Sequence, residues 1–206
     1  MTTHTIDGYI ETSNRRRPRR VTLLSADDGA GLAPNATLQL GGLTVTEAGD
    51  GVLHRTTFTF SAFPLAVTDA LAYASKQLYD FPAGRILILG STASLAWAVT
   101  TDRDTTINNS ASLTWAVGTA AASNITLATT MVDLLPKITK VLDGAVTAYT
   151  TASGGALAAT THFDGTSTSK DAFLNVGFET NTDIDGDGTL NVTGSITIHW
   201  INLGDY

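Results

Sequence analysis

Apolar and polar positions alternate with a period of two along most of the chain after residue 20, the signature of half-buried strands. "ATLQLGGLTVTEAGDG" (36–51) reads as strand, Gly-Gly bend, strand and a turn at "GDG". "HRTTFTFSAFPLAV" (54–67) places Phe58 and Phe60 on one face and then slips by one residue to Phe63, Leu65 and Val67. Such a slip beside Pro64 predicts a bulge or an edge strand. "GRILILG" (84–90) is apolar throughout and predicts a central strand. "SLAWAV" (94–99) and "SLTWAV" (112–117) nearly repeat each other across a polar stretch, which predicts two strands in similar surroundings, paired as a hairpin. Further strands are expected at "VTLL" (21–24), "ITLATTMVDLLP" (125–136), "GAVTAYTTA" (144–152), "DAFLNVGFET" (171–180) and "GTLNVTGSITIHWINL" (188–203).

Helical spacing occurs in one place. Val67, Leu71, Ala74 and Leu78 in "AVTDALAYASKQLYDF" (66–81) fall three to four residues apart, with Asp69 in what would be the first turn, so a short helix competes with strand there. "DLLPKITKVLD" (133–143) is broken by Pro136 and reads as a strand exit and loop. Eight to ten short strands with turn signals between them, and no alternation of strand with helix, predict an all-β fold. The expected architecture is an antiparallel, jelly-roll-like β-sandwich with at most one short helix and an extended basic N-terminal arm. The arm covers residues 1–20 and a single β-sandwich domain covers 21–206. Its core is expected from Phe58, Phe60, Ile86, Ile88, Trp97, Trp115, Phe173, Ile196, Ile198 and Trp200. The three tryptophans share strand faces with aliphatic neighbours, which places them in that core rather than on a sugar-stacking platform.

Charge changes this picture at one end. The 206-residue chain carries a formal charge of −7, yet "RRRPRR" (15–20) holds five of its twelve basic residues. Residues 1–20 are net +3 and leave −10 for the remainder. Pro18 prevents a helix through the arginines, so the arm is extended or irregular. No aromatic lies among them and an acidic body repels phosphate, so nucleic acid is not the expected partner. An acidic protein surface is. Ordering twenty residues costs about 1–2 kcal/mol each, while exposed Arg–carboxylate pairs return about 0.2–1 kcal/mol apiece. Arg15, Arg16, Arg17, Arg19 and Arg20 therefore need help from backbone pairing or from burial of Ile6, Tyr9 and Ile10. Partner binding is assigned to the five arginines with Tyr9 and Ile10.

Chemistry is sparse. The chain has no cysteine, which removes disulfides and thiolate chemistry. His4, His54, His162 and His199 are scattered without metal-ligand spacing, and "THFDGT" places His162 near Asp164 in what reads as a surface turn. In "NTDIDGDGTLNV" (181–192) Asp183, Asp185 and Asp187 occupy the first, third and fifth positions of a calcium loop, but Gly194 stands where the bidentate Glu belongs. No cofactor or metal is expected, with these three aspartates the candidate to test. No catalytic residues are assigned and a non-enzymatic protein is expected. The beginning "MTTHTIDGYIETSN" lacks the order of a secretion signal, and "RILILGSTASLAWAV" is too interrupted to span a bilayer, so no membrane partner is expected.

Three stretches together, "YDFPAGRILILGSTASL" (79–95), "FDGTSTSKDAFLNVGF" (163–178) and "GSITIHWINLGDY" (194–206), resemble virion structural proteins of tailed phages, in particular small head-associated proteins. The resemblance touches the C-terminal two thirds. It implies a β-sandwich decoration or cement subunit on the outer capsid surface, bound to the major capsid protein. It also implies homo-oligomers, often trimers, made in the host cytoplasm, and no catalytic residues. Two other readings stay open: a carbohydrate-binding or adhesin module, and a tail or neck component of the virion.

Overall fold

The computed structural model describes residues 37–49, 52–99, 107, 111–142, 150–154, 162–168, 170–179, 184 and 186–204. Eleven strands lie among them: β1 (Thr37–Leu40), β2 (Leu43–Gly49), β3 (Leu53–Val67), β4 (Tyr73–Asp80), β5 (Arg85–Val99), β6 (Ser112–Gly118), β7 (Leu135–Val141), β8 (Thr150–Gly154), β9 (His162–Asp164), β10 (Asp171–Phe178) and β11 (Gly188–Asn202). The only helical turn among the described residues is a 3-10 turn at Thr129–Met131.

The strands form two antiparallel sheets. The larger runs β1-β2-β3-β11-β5-β8, with β9 also on β5, and the smaller runs β4-β10-β6-β7. Pairing is nested: β3 with β11, β4 with β10, β5 with β8, β6 with β7. The chain thus doubles back on itself as one long ribbon, and successive ribbon pairs fall in opposite sheets. That is the connectivity of a jelly roll, as the strand pattern predicts. The β1–β2 hairpin widens the larger sheet beyond β3.

The phase slip in "HRTTFTFSAFPLAV" is a bulge. Thr56, Phe58 and Phe60 face inward, Ser61 and Ala62 are exposed, and Phe63, Leu65 and Val67 face inward again. Opposite it, the register of β11 shifts between Val192 and Gly194. Gly194 has φ +130°, and a Cβ there would lie 2.0 Å from the Ser94 carbonyl oxygen, so β11 can cross at this point only with glycine. The edge-strand alternative is corrected: β3 lies between β2 and β11.

Other expectations are corrected as well. "GRILILG" and "SLAWAV" are two halves of one fifteen-residue strand, β5. "SLAWAV" and "SLTWAV" do not form a hairpin; they lie in opposite sheets, where Trp97 and Trp115 meet across the core with ring centroids 6.2 Å apart. The helical spacing in 66–81 yields no helix. Thr68 closes a tight turn by accepting the amides of Leu71 and Ala72, and β4 follows. "ITLATTMVDLLP" is a loop rather than a strand, and "DLLPKITKVLD" becomes β7. Pro136 is tolerated there because β7 is the edge of its sheet and owes no amide hydrogen bond outward. "VTLL" and the first residues of "GAVTAYTTA" lie outside the described residues.

The core lies between the sheets. Phe58, Phe60, Ile86, Ile88, Trp97, Trp115, Ile196, Ile198 and Trp200 are buried in it, as expected. Phe173 is not: it is only partly buried and points to the outer side of the smaller sheet, because Ala172, Leu174, Val176 and Phe178 take the inward phase of β10.

Candidate interaction surfaces

At one end of the sandwich the inward face turns polar. Glu47 of β2 shares the inward phase of Leu43 and Val45, and His54 and Thr56 of β3 share that of Phe58 and Phe60. Glu47 and Thr56 are each 1% exposed. The Glu47 carboxylate accepts from His54 Nδ1 at 2.9 Å, from the Thr56 hydroxyl at 2.5 Å and from the Tyr79 hydroxyl at 3.4 Å. Thr56 Oγ1 in turn accepts from Trp200 Nε1 at 2.8 Å. A buried carboxylate is tolerable only with such partners. The His54 ring lies on Trp200, and its Nε2, also buried, has no hydrogen-bond partner among the described residues.

Outside this network is an open recess of about 400 Å³ lined by Ala48, Gly49, Leu53, His54, Arg55 and His199. Cross-strand register explains the grouping, since Arg55 stands opposite both Ala48 and His199, and Leu53 opposite Ile201. His54 is the residue that the recess and the buried network share. Arg55 and His199 are exposed, and Arg55 has no acidic partner among the described residues. Of six large exposed apolar side chains among the described residues, four gather here: Val52, Leu53, Leu89 and Leu203. Asn202 N donates to Val52 O and Leu203 N donates to Arg85 O, and Leu89 sits at the β5 bulge opposite His199 and Trp200. An apolar cluster with a cationic rim is a place for contact with something else.

The opposite end of β3 has the opposite character. The turn after Val67 exposes Asp69 and Leu71, the latter 49% accessible. Asp69 N donates to Asp187 Oδ1 at 3.0 Å, which ties this turn to the start of β11. The Asp69 carboxylate has no basic partner among the described residues.

A third feature is the strap formed by residues 119–134, which crosses the outer face of the smaller sheet. Asn175 on β10 is fully buried beneath it and uses every hydrogen-bonding position of its amide. Its Oδ1 accepts from Ser75 Oγ at 2.6 Å and Ala122 N at 2.9 Å, and its Nδ2 donates to Ala120 O at 2.9 Å and Met131 O at 2.8 Å. Leu127 and Met131 of the strap bury against Ala116. Asp133 closes the strap's neck by accepting from both the amide and the hydroxyl of Thr119, each at 2.7 Å. Burial raises the Asp133 carboxyl above the ordinary 3.8, against the lowering effect of those hydrogen bonds.

Arg15, Arg16, Arg17, Arg19, Arg20, Tyr9 and Ile10 lie outside the described residues, as do Asp183 and Asp185. Asp187 is described, and its carboxylate holds the Asp69 amide. Among the described residues no cluster of three His, Cys, Asp or Glu is placed to hold a metal, and no helix is long and apolar enough to cross a membrane. Trp97, Trp115 and Trp200 are each 0% exposed, so none offers a face to a sugar ring. His162 and Asp164 sit in β9, where Asp164 accepts from the amide and hydroxyl of Thr166, the first cause of its lowered pKa. The sequence reading missed Glu47, Arg55, Asn175 and Asp69. For Glu47 the signal was its strand phase, two residues on from Val45.

No protein-family model matches the chain, and no curated protein matches it. Three chains of solved structures match, among them one from the structure of infectious bursal disease virus, Gx strain. That chain is 10% identical with a TM-score of 0.26, over 92% of this chain and 38% of its own length, so this chain spans well under half of it. A likeness at that level carries no argument about function.

Proposed function

We propose that this protein is a non-enzymatic virion structural subunit that binds and stabilises a tailed-phage capsid as a decoration or cement protein. In this reading it acts as a homo-oligomer on the outer shell, attached partly through its N-terminal arm. The observation that carries the reading is the joining of a two-sheet jelly roll to a basic leader on an otherwise acidic chain. Jelly rolls serve capsids and lectins alike, and fold alone does not assign function. The burial of all three tryptophans leaves the carbohydrate reading without them as a stacking platform. The leader has reach: sixteen residues lie between Arg20 and Thr37, a span of at most about 60 Å if fully extended. Repetition across a lattice converts modest single contacts into strong retention.

The test uses phage heads lacking the protein, with the full chain added back. Wild-type occupancy is expected to fall as salt rises, because exposed charge pairs are screened. A variant with Arg15, Arg16, Arg17, Arg19 and Arg20 all replaced by Ser is expected to keep its fold and show low occupancy at every salt concentration. Equal occupancy of the two proteins throughout would overturn arm attachment. Copy number per particle separates a shell subunit, present in large multiples, from a tail or neck part.

A further inference from the structure

The two ends of β3 carry complementary surfaces. At the Leu53 end, the recess combines an apolar floor from Ala48 and Leu53 with the Arg55 cation and the His199 imidazole on its rim. At the Val67 end, the tight turn that follows presents one carboxylate, Asp69, and one leucine, Leu71, two residues apart. Leu53 and Leu71 are each 49% exposed, whereas most other aliphatic side chains among the described residues are buried. Fifteen residues of β3 separate the two surfaces, about 45–50 Å at strand rise. They cannot meet within one copy.

We propose that the recess of one copy receives the Thr68–Leu71 turn of a second copy, with Asp69 against Arg55 and His199 and Leu71 against Leu53 and Ala48. Charge complementarity chooses the occupant: the socket is cationic and apolar, and the turn is anionic and apolar. The turn is preformed, held by Thr68 O and by the Asp187 carboxylate, so docking it costs little conformational entropy. The contact is heterologous, because each copy offers a socket at one end and a knob at the other. Such contacts build closed rings or open rows according to the rotation between copies. The inference specifies how the homo-oligomer of the reading above would assemble, and it requires no capsid.

Sedimentation velocity of the full chain across a concentration series tests it. Wild type is expected to grow with concentration. Arg55→Glu and Asp69→Lys are each expected to weaken self-association by about tenfold or more, since each sets like charges against one another. Leu71→Ser should weaken it without any change of charge. An equimolar mixture of the Arg55→Glu and Asp69→Lys proteins should associate again, because each restores an opposite-charge pair with the other; that recovery also shows both variants are folded. A wild-type monomer at all concentrations overturns the proposal. So do oligomers indifferent to both substitutions, which would leave a homo-oligomer built through another surface. Failure of the mixture to recover, with both variants native by circular dichroism, overturns the stated pairing.

Discussion

His54 lies flat against Trp200, ring centroids 3.9 Å apart and planes 9° from parallel. The stack fixes the imidazole so that Nδ1 meets Glu47, while the indole Nε1 meets Thr56, whose hydroxyl donates to the same carboxylate. Four strands and two sheets are joined by this network, since Glu47, His54 with Thr56, and Trp200 come from β2, β3 and β11 and Tyr79 reaches it from β4.

Removing the carboxylate should therefore cost more than any one hydrogen bond. Glu47→Ala removes the common acceptor of His54 Nδ1 and the Thr56 hydroxyl in a buried site, at about 1–3 kcal/mol per uncompensated group. Glu47→Gln keeps one acceptor oxygen and should lose distinctly less. Urea unfolding monitored by tryptophan fluorescence measures both. Equal midpoints for wild type and Glu47→Ala would show that the network contributes nothing to stability.

How much of this was legible in the sequence depends on the distance between partners. Strand phase within a segment was readable, and it placed Phe58, Phe60, Ile196, Ile198 and Trp200 correctly. The same rule applied to "LTVTEAG" would have put Glu47 inside. Pairing was not readable. Thr57 and Thr197 touch hydroxyls at 3.3 Å across 140 residues, and nothing local announces so distant a neighbour. The helical spacing of Val67, Leu71, Ala74 and Leu78 was a coincidence of two environments: Val67 and Leu78 are core, whereas Leu71 is exposed on the turn. The strap misled in the other direction. Leu127 and Leu134 look like strand positions, but they bury against different things, Leu127 with Ala116 and Met131 outside the sheet and Leu134 in the main core. The readable hint was Asn175, a polar residue in the midst of the apolar run "AFLNVGF" that needed a cover.

That cover gives a second prediction. Asn175→Ala removes four hydrogen bonds, one of them to the buried Met131 carbonyl and three to partly buried groups of Ser75, Ala120 and Ala122, a cost of about 1–3 kcal/mol for each group left buried and uncompensated. The strap should open before the sheet does. Hydrogen exchange should rise across residues 119–134 while the amides of β10 paired with β4 stay protected. Gly177→Ala should act the same way, because a Cβ there would lie 2.3 Å from the Ile125 carbonyl oxygen. Uniform loss of protection across both sheets in either variant would show that the strap is not a separable unit.

The last prediction concerns pH. Asp171 of β10 stands opposite Asp80 of β4 in the ladder, and Gln77 Nε2 donates to Asp171 Oδ1 at 2.8 Å. Burial pushes the Asp171 carboxyl above the ordinary 3.8, with the hydrogen bonds to Gln77 and Asp80 opposing it, and burial raises Asp133 likewise. A carboxyl whose folded pKa is raised keeps its proton where the unfolded chain has lost it. Its contribution is whole below pH 3.8 and declines as pH rises through the folded value. Asp164 works in the other sense: its lowered pKa stabilises the fold above 3.8, and that is lost as pH falls through the folded value. Asp171→Asn supplies a permanent N–H donor beside Asp80 and cannot ionise. It should raise the melting temperature at pH 7 relative to wild type and remove part of the decline that begins at pH 3.8. Asp133→Asn should remove a further part while keeping an acceptor for Thr119. Melting curves at intervals from pH 3 to 7 measure both, and a wild-type decline that persists undiminished in the double variant would place its origin elsewhere.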